Sequence, residues 1–124
     1  MAAIVRRRAG YDEMTTLEPV LRFGENEFDF RTFRGRSANG AEQVLTQKEA
    51  MILKMLAARE GEVLWRDDIL ENVWSDEVLP SSRTIDNFIV RLRKRFEPNP
   101  EQPQFIHTVR GVGYRFTATA EPEP

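Results

Sequence analysis

Ser81-Ser82-Arg83-Thr84-Ile85-Asp86-Asn87-Phe88-Ile89-Val90-Arg91-Leu92-Arg93-Lys94-Arg95-Phe96 carries two patterns at once. Ile85, Phe88, Ile89, Leu92 and Phe96 recur at i, i+3, i+4, i+7 and i+11, the spacing of one apolar stripe on an α-helix. Arg83, Thr84, Asn87, Arg91, Lys94 and Arg95 fall elsewhere on the cylinder and combine cations for phosphate with groups that reach base edges. The stripe requires a protein core, and the other face suits DNA. A surface helix solvated by Arg and Lys would carry the same cations, so the segment that follows has to discriminate.

That segment is Phe105-Ile106-His107-Thr108-Val109-Arg110-Gly111-Val112-Gly113-Tyr114-Arg115-Phe116, two β-type runs around Gly-Val-Gly. Gly111 and Gly113 can both take φ > 0 without a Cβ penalty, which predicts a tight hairpin with Arg110 and Arg115 beside it. A basic helix followed by a basic hairpin is the order of a winged helix, in which the helix enters the major groove and the hairpin reaches neighbouring backbone or minor groove. A phosphate-binding glycine loop is excluded. It needs a third glycine and must open a helix, whereas this turn leads into a strand.

The chain has 124 residues, enough for one domain with a core. Its net charge of −2 and pI near 5.5 argue globally against a nucleic-acid binder. The local distribution reverses this. Residues 81–116 hold seven bases and three acids, while residues 11–80 hold eight bases and fifteen acids. The helix and hairpin are the basic pole of a dipolar molecule, and a polyanion responds to the local field beyond a Debye length of about 8 Å. Cysteine is absent, so thiolate metal sites and disulfides are excluded. No apolar run approaches a membrane span and no signal-peptide core is present. The expectation is a cytoplasmic protein with no membrane partner.

Residues 1–20 read as the end of a helix followed by a polar linker. Short β-type runs from Leu21 to Leu45 hold Phe23, Phe28, Phe30, Phe33 and Val44, with Asn39-Gly40 as a hairpin signal. They predict a small antiparallel sheet whose phenylalanines pack on helices. Thr46-Gln47-Lys48-Glu49 is a capping box that starts a helix, with Gly61 as its stop. A second helix is expected over Arg66 to Trp74, with Asp67 and Asp68 complementing its dipole. Ser75 to Pro80 exceeds a minimal helix-turn-helix turn, and Ser81 or Ser82 can cap the third helix. This loop is either a solvated connector or a docking site. The Pro98, Pro100 and Pro103 link leads to the hairpin, and residues 118–124 read as a disordered tail.

Sheet, three helices and hairpin are joined by specific strings. Leu45-Thr46-x-x-Glu49, Arg66-Asp67-Asp68-x-Leu70-x-x-x-Val73-Trp74, Arg83-Thr84-Ile85-Asp86-x-x-Ile89-x-x-Leu92-Arg93-Lys94 and Thr108-Val109-Arg110-Gly111-x-Gly113-Tyr114 together match one pattern. Over Leu21 to Phe116 the chain resembles the DNA-binding effector domain of OmpR/PhoB-family two-component response regulators. The fold expected is therefore α+β: a winged helix-turn-helix over 21–117, with an N-terminal antiparallel sheet, three helices and a C-terminal β-hairpin wing. The resemblance makes residues 1–20 a linker and the remnant of a receiver's last helix. The phosphoacceptor, and any sensor kinase acting on it, would then belong to the absent receiver.

The resemblance places Asp86, Asn87, Val90, Arg91 and Arg93 at base edges in promoter DNA and Arg83, Thr84 and Lys94 on phosphate, with Thr108 and Arg110 in the wing. It gives Asp76, Glu77, Val78 and Leu79 a loop that faces RNA polymerase, and implies a second copy on a tandem half-site. No cofactor and no metal are implied. Three residues depart from family usage. Phe88 stands where His is frequent, Val90 where Arg is common, and Trp65 where a Ser caps the second helix. Catalysis is disfavoured, because the one His, His107, has no nucleophile-base partner in the pattern. A winged helix that binds protein and not DNA is the alternative function.

Overall fold

The structure is a computed structural model that describes residues 19–75 and 77–119. Residues 1–18, within the stretch read as linker and receiver remnant, Asp76 and residues 120–124 lie outside the described residues.

Strands β1 (Val20–Phe23), β2 (Asn26–Asp29), β3 (Arg34–Arg36) and β4 (Glu42–Val44) form an antiparallel meander in that order. One face supplies Phe23 and Phe28 to the core, both essentially without exposure. Phe23 meets Phe96, Phe105 and Phe116 edge-on at 5.1, 5.4 and 5.4 Å between ring centroids. This cluster joins the sheet to the end of the basic helix and to the base of the wing. Phe33, expected in the core, is exposed. The turn after β2 gives it φ 61° and donates its N–H to Asp29 O at 2.9 Å, which swings the ring to solvent. Val44 is also exposed, on the outer side of the short strand β4.

Helix α1 (Gln47–Ala58) starts at the expected capping box. Thr46 Oγ1 accepts from the Glu49 N–H at 3.3 Å, and Glu49 Oε1 accepts from the Thr46 N–H at 2.9 Å. Gly61, at φ 86°, lies past the helix end and donates its N–H to Phe116 O at 2.8 Å, so it turns the chain toward the wing. Helix α2 (Arg66–Val73) and helix α3 (Arg83–Phe96) complete the helical layer. Neither Ser81 nor Ser82 provides the expected cap. Ser82 is at the N-cap position in a helical conformation and makes no side-chain cap bond; the backbone carbonyls of Ser81 and Ser82 instead accept from Thr84 and Ile85.

The wing is a three-stranded sheet in the order β5 (Val63–Trp65), β7 (Gly113–Phe116), β6 (Ile106–Val109). The β5 strand does not stand out in the sequence. It also corrects the reading of Gly113, which has no positive φ; only Gly111 takes the left-handed turn, at φ 77°. Gly113 pairs with Trp65, and an added Cβ would sit 1.9 Å from Leu64 O. Glycine is required there by the close approach of two backbones.

Gly113→Ala is therefore expected to destabilise the domain by about 1–3 kcal/mol, the usual cost of overpacking. Urea denaturation measures it, and an unchanged midpoint would refute the close-approach argument.

Candidate nucleic-acid interface

The stripe of α3 is the anchor of the site. Ile85, Ile89, Leu92 and Phe96 are buried, and their removal from water fixes the rotation of the helix. The opposite edge then follows: Arg83, Asn87, Val90, Arg91 and Lys94 are all exposed, one outward strip from the first turn to the last. Thr84 is half-buried beside it. Arg93, Lys94 and Arg95 in the last turn complement the negative end of the helix dipole.

Asp86 and Arg93, expected at base edges, are engaged by the protein itself. Asp86 Oδ1 accepts from Tyr114 Oη at 2.6 Å, and both its oxygens lie 3.2 Å from Arg66 Nη1. One carboxylate thus joins the first residue of α2, the first turn of α3 and strand β7. Burial pushes the Tyr114 phenol up to about 12, helped by its hydrogen bond to the Asp86 carboxylate and by that charge, against the pull of Arg93 and Arg66. Arg93 donates to Ile106 O from Nε at 3.1 Å and from Nη2 at 2.9 Å, and to Thr108 Oγ1 at 2.8 Å. Its guanidinium lies 5.7 Å from the Tyr114 ring centroid. These two residues hold helix against wing. Thr108 is exposed with its hydroxyl on Arg93, and Arg110 is exposed at the wing turn.

Sequence reasoning missed Glu97. Its buried carboxylate accepts from the N–H groups of Gln104, Phe105 and Ile106 at 2.7, 3.0 and 2.8 Å. Nothing in the sequence distinguishes it from the exposed Glu101 a few residues on. His107 is also buried, with Nε2 3.0 Å from Thr117 Oγ1, and takes no part in the outward strip.

In the α2–α3 loop, Glu77 Oε2 lies 3.1 Å from Lys48 Nζ, while Val78 is 93% exposed and Leu79 47%. These apolar groups have solvent around them in a loop where Glu77 is tied to α1. Among the described residues no helix is long and apolar enough to cross a membrane, and no cluster of His, Asp or Glu could hold a metal.

Residues 40–116 match the family described as "Transcriptional regulatory protein, C terminal". Protein PetR of Rhodobacter capsulatus is 36% identical over 119 residues, covering 90% of this chain and 48% of PetR. The chain spans about half the length of the curated relatives it matches. Among solved structures, the response regulator DrrB of Thermotoga maritima, an OmpR/PhoB homologue, superposes with a TM-score of 0.70 at 37% identity, over 81% of this chain and 45% of DrrB. The DNA-binding domain of Klebsiella pneumoniae RstA, in complex with RstA box, gives 0.67 at 29% identity, over 82% of this chain and 99% of that domain.

The Tyr114 environment has a measurable sign. A raised phenol pKa means that folding favours the protonated form, so its contribution is complete below the unfolded value of about 10 and fades as pH rises toward about 12. The difference in urea midpoint between the parent and Tyr114→Phe should stay constant below pH 10 and shrink above it. A difference that does not change across this interval would refute the assignment.

Proposed function

We propose, for a chain that belongs to the family of C-terminal domains of transcriptional regulatory proteins, that α3 lies in the major groove of promoter DNA with Asn87, Val90 and Arg91 toward base edges. The chain is an OmpR/PhoB-type winged-helix domain, the DNA-binding effector part of a response regulator, in a family of transcription-factor domains and not of enzymes. The observation that carries the finer reading is the exposed strip on α3, polar and cationic around Val90, back to back with a fully buried stripe. A winged helix serving only protein partners has no need of that strip.

Arg83, Thr84 and Lys94 then lie along phosphate on either side, and Arg110 and Thr108 bring the wing to adjacent backbone or minor groove. Asp86 and Arg93 act from behind, by holding the helix and wing at a set angle. Val90 offers apolar contact to a thymine methyl, where an arginine would read guanine. Two copies on tandem half-sites, work in the cytoplasm, and control by a sensor kinase through a receiver complete the proposal. The length of the relatives, about twice this chain, supports the last point.

The test is selection of binding sites from random DNA, followed by variants on the selected site. Arg91→Ala should weaken cognate binding by about 1–3 kcal/mol and leave scrambled DNA unaffected, as expected for a bidentate guanine contact. Equal losses on both would assign Arg91 to phosphate. Arg110→Ala should reduce the slope of log K against log salt by about one unit; an unchanged slope with the fold intact removes it from the backbone contacts.

The α2–α3 loop is proposed to face RNA polymerase. The exposed Val78 and Leu79 support this, and its acids, Asp76 and Glu77, repel phosphate. The ion pair of Glu77 with Lys48 is partly solvated and worth about 0–1 kcal/mol, so its loss should leave the fold intact. With Asp76 and Glu77 both replaced by Ala, operator affinity should be retained and transcription with purified polymerase lost. Full transcription would leave the loop a solvated connector.

A further inference from the structure

We propose that Phe88 is a positioning residue for Arg91: a stack running from α1 through Trp74 presents the Phe88 ring as a platform on which the Arg91 guanidinium is held ready for a base edge. The inference rests on the reading of Arg91 as a base-facing residue and deepens it.

The stack has four members. Lys48 Nζ lies 4.8 Å from the Trp74 ring centroid, the Trp74 and Phe88 rings meet edge-to-face at 5.7 Å and 67°, and Arg91 Cζ lies 4.9 Å from the Phe88 ring. Each contact is of a favourable kind, cation over π-face or ring edge to ring face. Trp74 is 8% exposed and ends α2, its N–H donating to Leu70 O. Its position is therefore set by the core, and the edge-to-face contact passes that rigidity to Phe88 at the border of core and solvent.

Phenylalanine at this border neither donates nor accepts a hydrogen bond, so it offers a phosphate nothing and a base edge only apolar contact. What it offers is an apolar body for the core and a π-face outward. Arg91, one helical turn on, is where that face is used. Among the described residues, Arg91 is the one cation of the outward strip that lies over a ring; Arg83 and Lys94 do not. A flexible arginine loses rotamer freedom when it docks bidentately. One already held over a ring loses less, and the benefit falls on the base pair it reads.

The experiment has two arms. In the DNA-free protein, NMR should find the Arg91 side-chain protons shifted upfield by the Phe88 ring current, with the shift kept in Phe88→Tyr and lost in Phe88→Leu. In the second arm each base pair of the selected operator is substituted in turn. Arg91→Ala should abolish discrimination at one base pair. Phe88→Leu should reduce discrimination at that same base pair by about two- to fivefold, the cation–π contribution at an exposed site. It should add nothing to Arg91→Ala, and Phe88→Tyr should keep discrimination. A uniform loss over all sites, additivity with Arg91→Ala, or an absent ring-current shift in the parent protein would overturn the proposal. The parent measurement stands even if Phe88→Leu unfolds. If Arg91→Ala changes no base preference, the base-facing reading falls and this inference with it; if Arg91→Ala does and Phe88→Leu does not, only this inference falls.

Discussion

Ile106 is held at both ends of its backbone by the helix it must accompany. Its N–H donates to Glu97 Oε2 at 2.8 Å, and its carbonyl accepts from Arg93 at 2.9 and 3.1 Å. Glu97 ends α3 and Arg93 lies one turn earlier, so the clasp fixes the first residue of β6 to the last turn of α3. Hydrogen bonds to charged groups contribute about 1.5–3 kcal/mol each, and a buried amide left without a partner costs about 1–3 kcal/mol. A winged helix docks at two places, groove and flank, and only a fixed angle between them lets both engage. The Asp86 junction with Tyr114 and Arg66 repeats the constraint at the other end of the helix. Between the two clasps, the outward strip of α3 has a defined pose relative to the wing turn.

Local signals made much of this legible. The Thr46–Glu49 box involves residues three apart, and the structure closes it as sequence pattern requires. The stripe of α3 is periodic over about three turns, enough to predict both the burial of Ile85, Ile89 and Leu92 and the exposure of Asn87 and Arg91; the outward place of Val90 comes with the resemblance. Strand β5 was illegible because three residues carry no alternation worth reading; it exists through pairing with β7, about fifty residues away in the chain. Gly113 was misread for the same reason, since a turn glycine and a close-approach glycine look alike until the partner strand is known. The family resemblance, and not the residue pattern, puts Asp86 and Arg93 at base edges. Their partners, Tyr114, Arg66, Ile106 and Thr108, are all distant in sequence, so these contacts are not legible from it.

The charge distribution has a related logic. Sheet β1–β4 carries its ions in pairs across or beside strands, Arg22 with Glu27, Arg31 with Asp29 and Arg34 with Glu42. Exposed pairs of this kind contribute little to stability, but they cancel the field of that surface. The cations of α3 that face outward, Arg83, Arg91 and Lys94, are joined by Arg110 of the wing. An acidic chain can thus present a local attractive pole while its neutralised flank leaves orientation to that pole.

Trp65 shows how the fold tolerates a residue that breaks a local rule. It occupies the N-cap of α2 without a side-chain cap bond, a loss of about 1 kcal/mol by comparison with serine. The helix start is held from outside instead. Trp65 pairs with Gly113 as the last residue of β5, Arg66 is tied to Asp86, and Asp67 and Asp68 meet the positive end of the dipole. Strand pairing runs up to the first helical residue, so the sheet defines where α2 begins and a cap is not needed for that purpose. The same pairing brings the backbones close enough to exclude any side chain at Gly113. One contact therefore removes the need for serine at one position and imposes glycine at the other, which neither position reveals when read alone.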